Sequence, residues 1–202
     1  MIMEPMLKYC TVLLIISTGT CCGEWVKTSD REHYFFRADV RKLCKNRTSD
    51  VVPIIKIIDS SRPSLSQSLD NAPDKAIDCN TKSYWNAGNP AGLYYNKWYI
   101  TFELTKRYNV TGVDLVNYQD PTYNRNVTVV KLEASDDKVT WHNGGCISKF
   151  LSGLHNWKYF IGFNASGNYL KFTVTRTERG LQPYLSEISF NGYQDIGFNG
   201  NP

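Results

Sequence analysis

Hydrophobic and polar positions change their spacing partway along the chain. In residues 24–50, Phe36, Val40, Leu43 and Cys44 recur at i, i+4, i+7 and i+8, behind a Ser29-Asp30-Arg31-Glu32 stretch with capping-box spacing. That spacing puts the four on one helical face and predicts a helix near 30–45. Its end carries Arg41, Lys42, Lys45 and Arg47, cations suited to a helix C-terminus. From Val51 onward the spacing is two. Trp98, Ile100, Phe102 and Leu104 alternate with Tyr99, Thr101 and Glu103, and Val130, Leu132 and Ala134 with Val129, Lys131 and Glu133. Leu170, Phe172 and Val174 alternate with Lys171, Thr173 and Thr175, and Ile188 and Phe190 with Glu187 and Ser189. Successive side chains of a strand point to opposite faces, so each alternation predicts a half-buried strand. Turn-forming clusters separate them at Asn86 to Pro90, Gln119 to Asn126, Ser135 to Lys138 and Asn143 to Gly145,. Many short strands with little helix predict an antiparallel sandwich or barrel.

The first residues follow neither period. Lys8 precedes the apolar run Tyr9 to Ile16, which is too short to span a bilayer and is followed by the small residues Ser17 to Gly23,. This is the pattern of a secretory signal, removed near positions 20 to 23. The predicted organisation is therefore a signal peptide over 1–22, a helical extension over 23–50, a β domain over 51–193 and a C-terminal tail over 194–202, with the product soluble outside the cell. Four Asn-x-Ser/Thr sequons agree with that compartment, at Asn46, Asn109, Asn126 and Asn164,. Of six cysteines, Cys10 lies in the signal, Cys21 and Cys22 straddle the cut, and Cys44, Cys79 and Cys146 remain. One disulfide plus one free or intermolecular thiol accounts for that odd number most simply, and the sequence does not assign the pair.

Composition narrows the function. With 202 residues there is room for one domain and an extension, not a multidomain enzyme,. A net charge of +4 is too mild to imply a nucleic-acid partner,. Thirteen Tyr and five Trp favour strands and recognition surfaces,. His33, His142 and His155 are scattered, and nucleophile-elbow, zinc-protease, zinc-ribbon and phosphate-loop patterns are missing from the chain,. The sequence thus points to a binding module, not an enzyme; a hydrolase would need two carboxylates, such as Asp114 and Glu133, to meet in space.

The order of residues adds a resemblance. Asn71-Ala72-Pro73-Asp74-Lys75-Ala76-Ile77-Asp78-Cys79-Asn80-Thr81-Lys82-Ser83-Tyr84-Trp85 resembles the opening signature of the discoidin family, also called coagulation factor V/VIII type C domains. Trp98 to Leu104, Ala134 to Trp141, Tyr169 to Thr175 and Leu185 to Gly192 follow in the family's order. The ending Leu185-Ser186-Glu187-Ile188 is also similar to discoidin-type carbohydrate-binding modules. The resemblance implies an all-β, eight-stranded antiparallel jelly-roll sandwich with ligand loops at one end, here preceded by a short N-terminal helical extension. It also implies core positions for Trp85, Trp98 and Trp141. Cys79 stands where the family usually has glycine, and no cysteine after Cys146 is present to join the domain's two ends.

Two sites follow. A hard divalent cation takes several oxygen ligands, and the resemblance implies a structural Ca²⁺ held by the Asp78 and Asn80 side chains, carbonyls near Lys75 and Ser83, and Glu187. The alternative is a dry turn in which Asp78 and Asn80 accept backbone hydrogen bonds. The recognition surface is expected in loops 62–69, 87–97 and 119–126. Sugars offer apolar C–H faces that rest on aromatic rings and hydroxyls that need paired donors and acceptors. Tyr94, Tyr95 and Tyr123 suit the first, and Asn86, Asn96, Asn124 and Arg125 the second; alternatively, Arg125 pairs with Asp120. The expected partner is an extracellular glycan or glycoprotein. The second option is an anionic membrane surface or protein receptor engaged through Leu65, Leu69 and Leu93.

Overall fold

The computed structural model describes residues 51–61, 71–88, 95–120, 122–148 and 157–196. The expected signal peptide, the expected helix near 30–45, residues 197–202 of the expected tail and the three leucines lie outside these residues. The described residues form seven strands, one fewer than the resemblance implies: β1 (Ile54–Ser60), β2 (Trp85–Asn86), β3 (Trp98–Asn117), β4 (Val127–Ser135), β5 (His142–Ser148), β6 (Lys158–Thr177) and β7 (Tyr184–Gln194), all paired antiparallel. One 3₁₀ turn, Pro73–Ala76, precedes β2.

Two long strands make the sandwich. The first half of β3 pairs with β1 and with the second half of β6, which passes on to β4 and β5. Its second half pairs with β7 and with the first half of β6, and β2 flanks β7. Register breaks in β3 between Glu103 and Tyr108, where the sheet folds over on itself. The inward residues of both halves then meet, as in the edge-to-face contact of Phe102 and Phe190 at 5.2 Å. Trp98, Ile100, Phe102, Leu104, Val130, Leu132, Ala134, Leu170, Phe172, Val174, Ile188 and Phe190 are all buried, as their alternation predicts. Full burial of such a side chain contributes roughly 1.5–3 kcal/mol.

Two local expectations need correction. Asn143, Gly144 and Gly145 belong to β5 and not to a turn. A Cβ on Gly144 would sit 2.3 Å from the Ala165 Cβ, so the glycine lets β5 close against β6. Trp141 is only half-buried: it precedes β5, donates its indole N–H to the Lys138 carbonyl and lies 4.0 Å from the Lys171 ammonium. Trp85 and Trp98 are core residues, as expected.

The two ends of the sandwich differ. At one end Arg107 joins the β3 bend to Asp136, at 3.2 Å, and to Asp195, while the Asn168 amide donates to Asp136. The other end gathers segments 84–88, 95–97, 118–120, 122–126 and 177–184. There Asn117 accepts the Val127 amide at 2.9 Å, and the Tyr118 amide donates to the Tyr184 carbonyl.

Candidate functional site

A carboxylate pair lies beside this loop end. The segment after the 3₁₀ turn bends sharply at Cys79, whose φ of 62° is the left-handed conformation that the family's glycine would adopt without strain,. The bend aims the Asn80 amide at the Glu187 carboxylate, 2.7 Å away, and also at Asp78 at 3.0 Å. Asp78 further accepts the Ser83 hydroxyl at 2.8 Å and faces the Lys75 ammonium at 3.6 Å. Glu187 is 1% exposed. Burial pushes its carboxyl up to about 8, with the Asp78 charge adding to the rise and the Asn80 and Cys79 amides opposing it,. Asp78, Asn80, Ser83, Lys75 and Glu187 are thus brought together, Lys75 through its ammonium. Backbone bonds of the dry turn are present as well, including the Lys82 amide to Asn80 Oδ1 at 3.1 Å.

The loop end itself is built on Arg125. Its guanidinium lies 4.2 Å from the centre of the Tyr184 ring and 4.8 Å from that of Tyr123. Tyr184 packs on Tyr84 at 4.5 Å, and Tyr84 on Tyr118 at 4.0 Å. The Asp120 carboxylate accepts the amides of Thr122 and Tyr123, and its other oxygen stands 3.5 Å from Arg125 Nε. That distance is an ion pair without a good hydrogen bond. Asp120 Oδ2, Arg125 Nε and, on the neighbouring 177–184 segment, Gln182 Oε1 are all buried and make no hydrogen bond among the described residues. Asp120 and Arg125 thus meet through charge more than through a hydrogen bond, beside a Tyr123 ring that is 50% exposed.

The other expected ligand residues group around this centre. Asn86 lies opposite Tyr184 in the β2–β7 ladder and accepts the Gly88 amide at 3.0 Å. Asn124, with φ 48°, accepts from the Asn126 amide. Tyr95 and Asn96 form an adjacent exposed turn, in which the Tyr95 ring meets Trp98 edge-on at 5.7 Å. Tyr94 lies outside the described residues. Tyr84, Tyr118 and Tyr184, absent from the sequence-based set, complete the cluster.

Asp114 and Glu133 do not meet: Asp114 accepts from Asn191, and Glu133 pairs with Lys131 on β4. Among the sequons, Asn164 is exposed on β6. Asn126 is 2% exposed, and its amide nitrogen donates to Asn124 and to Glu178; a glycan there would break both bonds. Asn109 donates to the Tyr193 hydroxyl at 2.8 Å, and Asn46 is outside the described residues. Cys79 and Cys146 are both disulfide-bonded, so neither is the free thiol expected from the odd cysteine number.

Comparison with known proteins agrees with this architecture. The sequence pattern of the F5/8 type C domain matches residues 57–185. No curated protein matches the chain at a significant level. The fold is similar to the CBM32-3 domain of a family 31 glycoside hydrolase from Clostridium perfringens, at 18% identity over 70% of this chain and 91% of that one, with a TM-score of 0.56. It is also similar to a putative chitobiase fragment from Bacteroides thetaiotaomicron, at 18% identity over 73% and 95%, TM-score 0.58. A third similar structure is the family 32 carbohydrate-binding module of Clostridium perfringens NanJ in complex with galactose, at 13% identity over 70% and 98%, TM-score 0.55. Identities this low show a common fold.

Proposed function

We propose, from the premise that this chain belongs to the F5/8 type C domain family, that it is a secreted, non-catalytic module that binds an extracellular carbohydrate through the Arg125 end of its sandwich. The observation that carries this reading is the exposed Tyr123 ring stacked beside the Arg125 guanidinium, which Tyr184 and the Asp120 carboxylate hold in place. An apolar sugar face would rest on the ring, and hydroxyls would accept from the guanidinium beside it. Arg125 is held by Tyr184 and Asp120, so little side-chain freedom is lost on binding.

The same reading includes a structural Ca²⁺ held by Asp78, Asn80, carbonyls near Lys75 and Ser83, and Glu187. The donors are oxygens, as a hard cation requires, and two converging carboxylates supply the charge. When bound, the ion neutralises that pair and fixes the 77–84 segment against β7. Chelation is expected to lower the melting temperature, and no change would remove the ion from the account.

The test of binding is a glycan array on the purified protein, repeated with Tyr123→Ala and Arg125→Ala. Each substitution should weaken binding roughly tenfold or more, the Arg125 loss reflecting about 1.5–3 kcal/mol for charged hydrogen bonds. Sedimentation with phosphatidylserine vesicles and no signal on the array would favour the membrane instead.

A further inference from the structure

We propose that Asn143 is a covalent modification site: its carboxamide closes onto the backbone nitrogen of Gly144 as a succinimide, which water opens to aspartate or isoaspartate, and the product loosens the β4–β5 edge of the sandwich. Among the described residues two Asn-Gly pairs lie in strands, Asn143-Gly144 in β5 and Asn191-Gly192 in β7. Their backbones are held differently. Glu133 of β4 pairs with Asn143 and Leu132 with Gly145, so Gly144 is the extra residue of a bulge. A bulge disrupts the ladder locally and frees its extra residue from one-to-one pairing. Gly145 follows with a φ of 129°, and its amide donates to Asn143 Oδ1 at 3.3 Å. A hydrogen bond to the amide two residues on folds an Asn side chain back over the intervening peptide, here that of Gly144. Asn143 is also exposed to water. Asn191 has none of this freedom. It is 9% exposed, donates its side-chain amide to Asp114 at 2.8 Å, and pairs with Gly112 of β3 while Gly192 pairs with Val110.

The reaction consumes only water. The Gly144 nitrogen gives its proton to hydroxide and bonds to Asn143 Cγ, and the side-chain nitrogen takes a proton from water and leaves as ammonia. A second water then opens the ring, at Cγ to give aspartate or at the Asn143 backbone carbonyl to give isoaspartate. Negative charge develops on Oδ1 during the attack, and the Gly145 amide already donates to that atom, as an oxyanion donor should,. Glycine at 144 puts no Cβ in the path of the attack. The product then strains its surroundings in two ways. A carboxylate at 143 stands directly opposite Glu133, and like charges in that relation are destabilising. Isoaspartate also lengthens the backbone by a methylene where there is no slack, since a Cβ on Gly144 would sit 2.3 Å from the Ala165 Cβ. β5 must therefore shift against β6.

The test is ageing of the purified protein in mildly alkaline buffer, both folded and unfolded in urea with its disulfides reduced, followed by tryptic mapping with fragmentation. In the folded protein the peptide Val139–Lys149 is expected to change from amide to acid and to split into two isomers of equal mass. Its rate should exceed that of Asn191 roughly tenfold or more. In urea, where the bulge is lost, the two sites should convert at similar rates. Equal rates in the folded protein, or an Asn143 that persists when folded and converts only in urea, would overturn the assignment. The melting temperature should fall as the wild type ages and stay constant in Asn143→Gln, whose longer side chain closes this ring poorly. A converted wild type with an unchanged melting temperature and unchanged amide exchange along β4 and β5 would overturn the loosening. The wild-type map and melt decide both points even if Asn143→Gln does not fold.

Discussion

Glu187 on β7 and Asn80 in the segment before β2, distant in the chain, are joined by a 2.7 Å hydrogen bond from the Asn80 amide to the Glu187 carboxylate. The amide alone does not balance the charge. Burial and the neighbouring Asp78 push the Glu187 carboxyl from 4.5 up to about 8, so the folded chain keeps a proton that the unfolded chain has released. That stabilisation is fully present below pH 4.5 and is lost as pH rises through about 8,. Metal-free protein should lose stability over this window, on the order of a few kcal/mol. Glu187→Gln should abolish the slope, and saturating calcium should flatten it in the wild type. Urea midpoints across pH with chelator or calcium measure all three; a flat metal-free profile contradicts the assignment.

Asp137 carries the opposite sign. Its carboxylate accepts the amides of Thr140 at 2.7 Å and Val139 at 2.8 Å and the Ser135 hydroxyl at 3.0 Å. These bonds hold its carboxyl down at about 2. Its contribution is present above pH 3.8 and lost as pH falls through about 2,. Asp137→Ala should speed amide exchange at Val139 and Thr140 and leave Tyr123 and Arg125 unchanged. Unaltered exchange in the β4–β5 turn would show that Asp137 does not hold it.

Phe102 and Phe190 join the two halves of the folded sheet. Phe102→Ala should cost about 3–5 kcal/mol, seen as a lower urea midpoint. A loss under about 1 kcal/mol would mean that the halves are not held by this contact.

The sequons should separate by exposure. Asn164→Gln is expected to remove one N-glycan from protein secreted by eukaryotic cells, whereas Asn126→Gln should leave the glycan mass unchanged. Intact mass before and after glycosidase treatment reads both; a glycan on Asn126 would contradict its buried position.

The strands with strict alternation were legible because one face of each is core: Trp98 to Leu104, Leu170 to Val174 and Ile188 to Phe190 are buried where the period puts them. Glu187 shows the limit of that rule. The period sends it outward with Ser189, yet it is buried against the 77–84 segment, and only its place in the family signature pointed to it. The Tyr84, Tyr118 and Tyr184 stack left no linear signal, since three distant segments supply it and the β2–β7 pairing assembles it. The nearness of Tyr123 and Arg125 was legible because ring and cation share one loop, and the fold also sets Asp120 beside Arg125, as the alternative reading has it. Asn143 to Gly145 were misread because glycine in a strand looks like a turn until the close approach to Ala165 and Phe163 is known,.

The most direct test is heteronuclear NMR titration with the strongest glycan from the array. The account predicts saturable shifts at the amides of Tyr123, Arg125, Gln182 and Tyr184, and none at Asp136, Asn168 or Asp195 around Arg107. Shifts centred on the Arg107 end, or no saturable shift for any glycan, would contradict it.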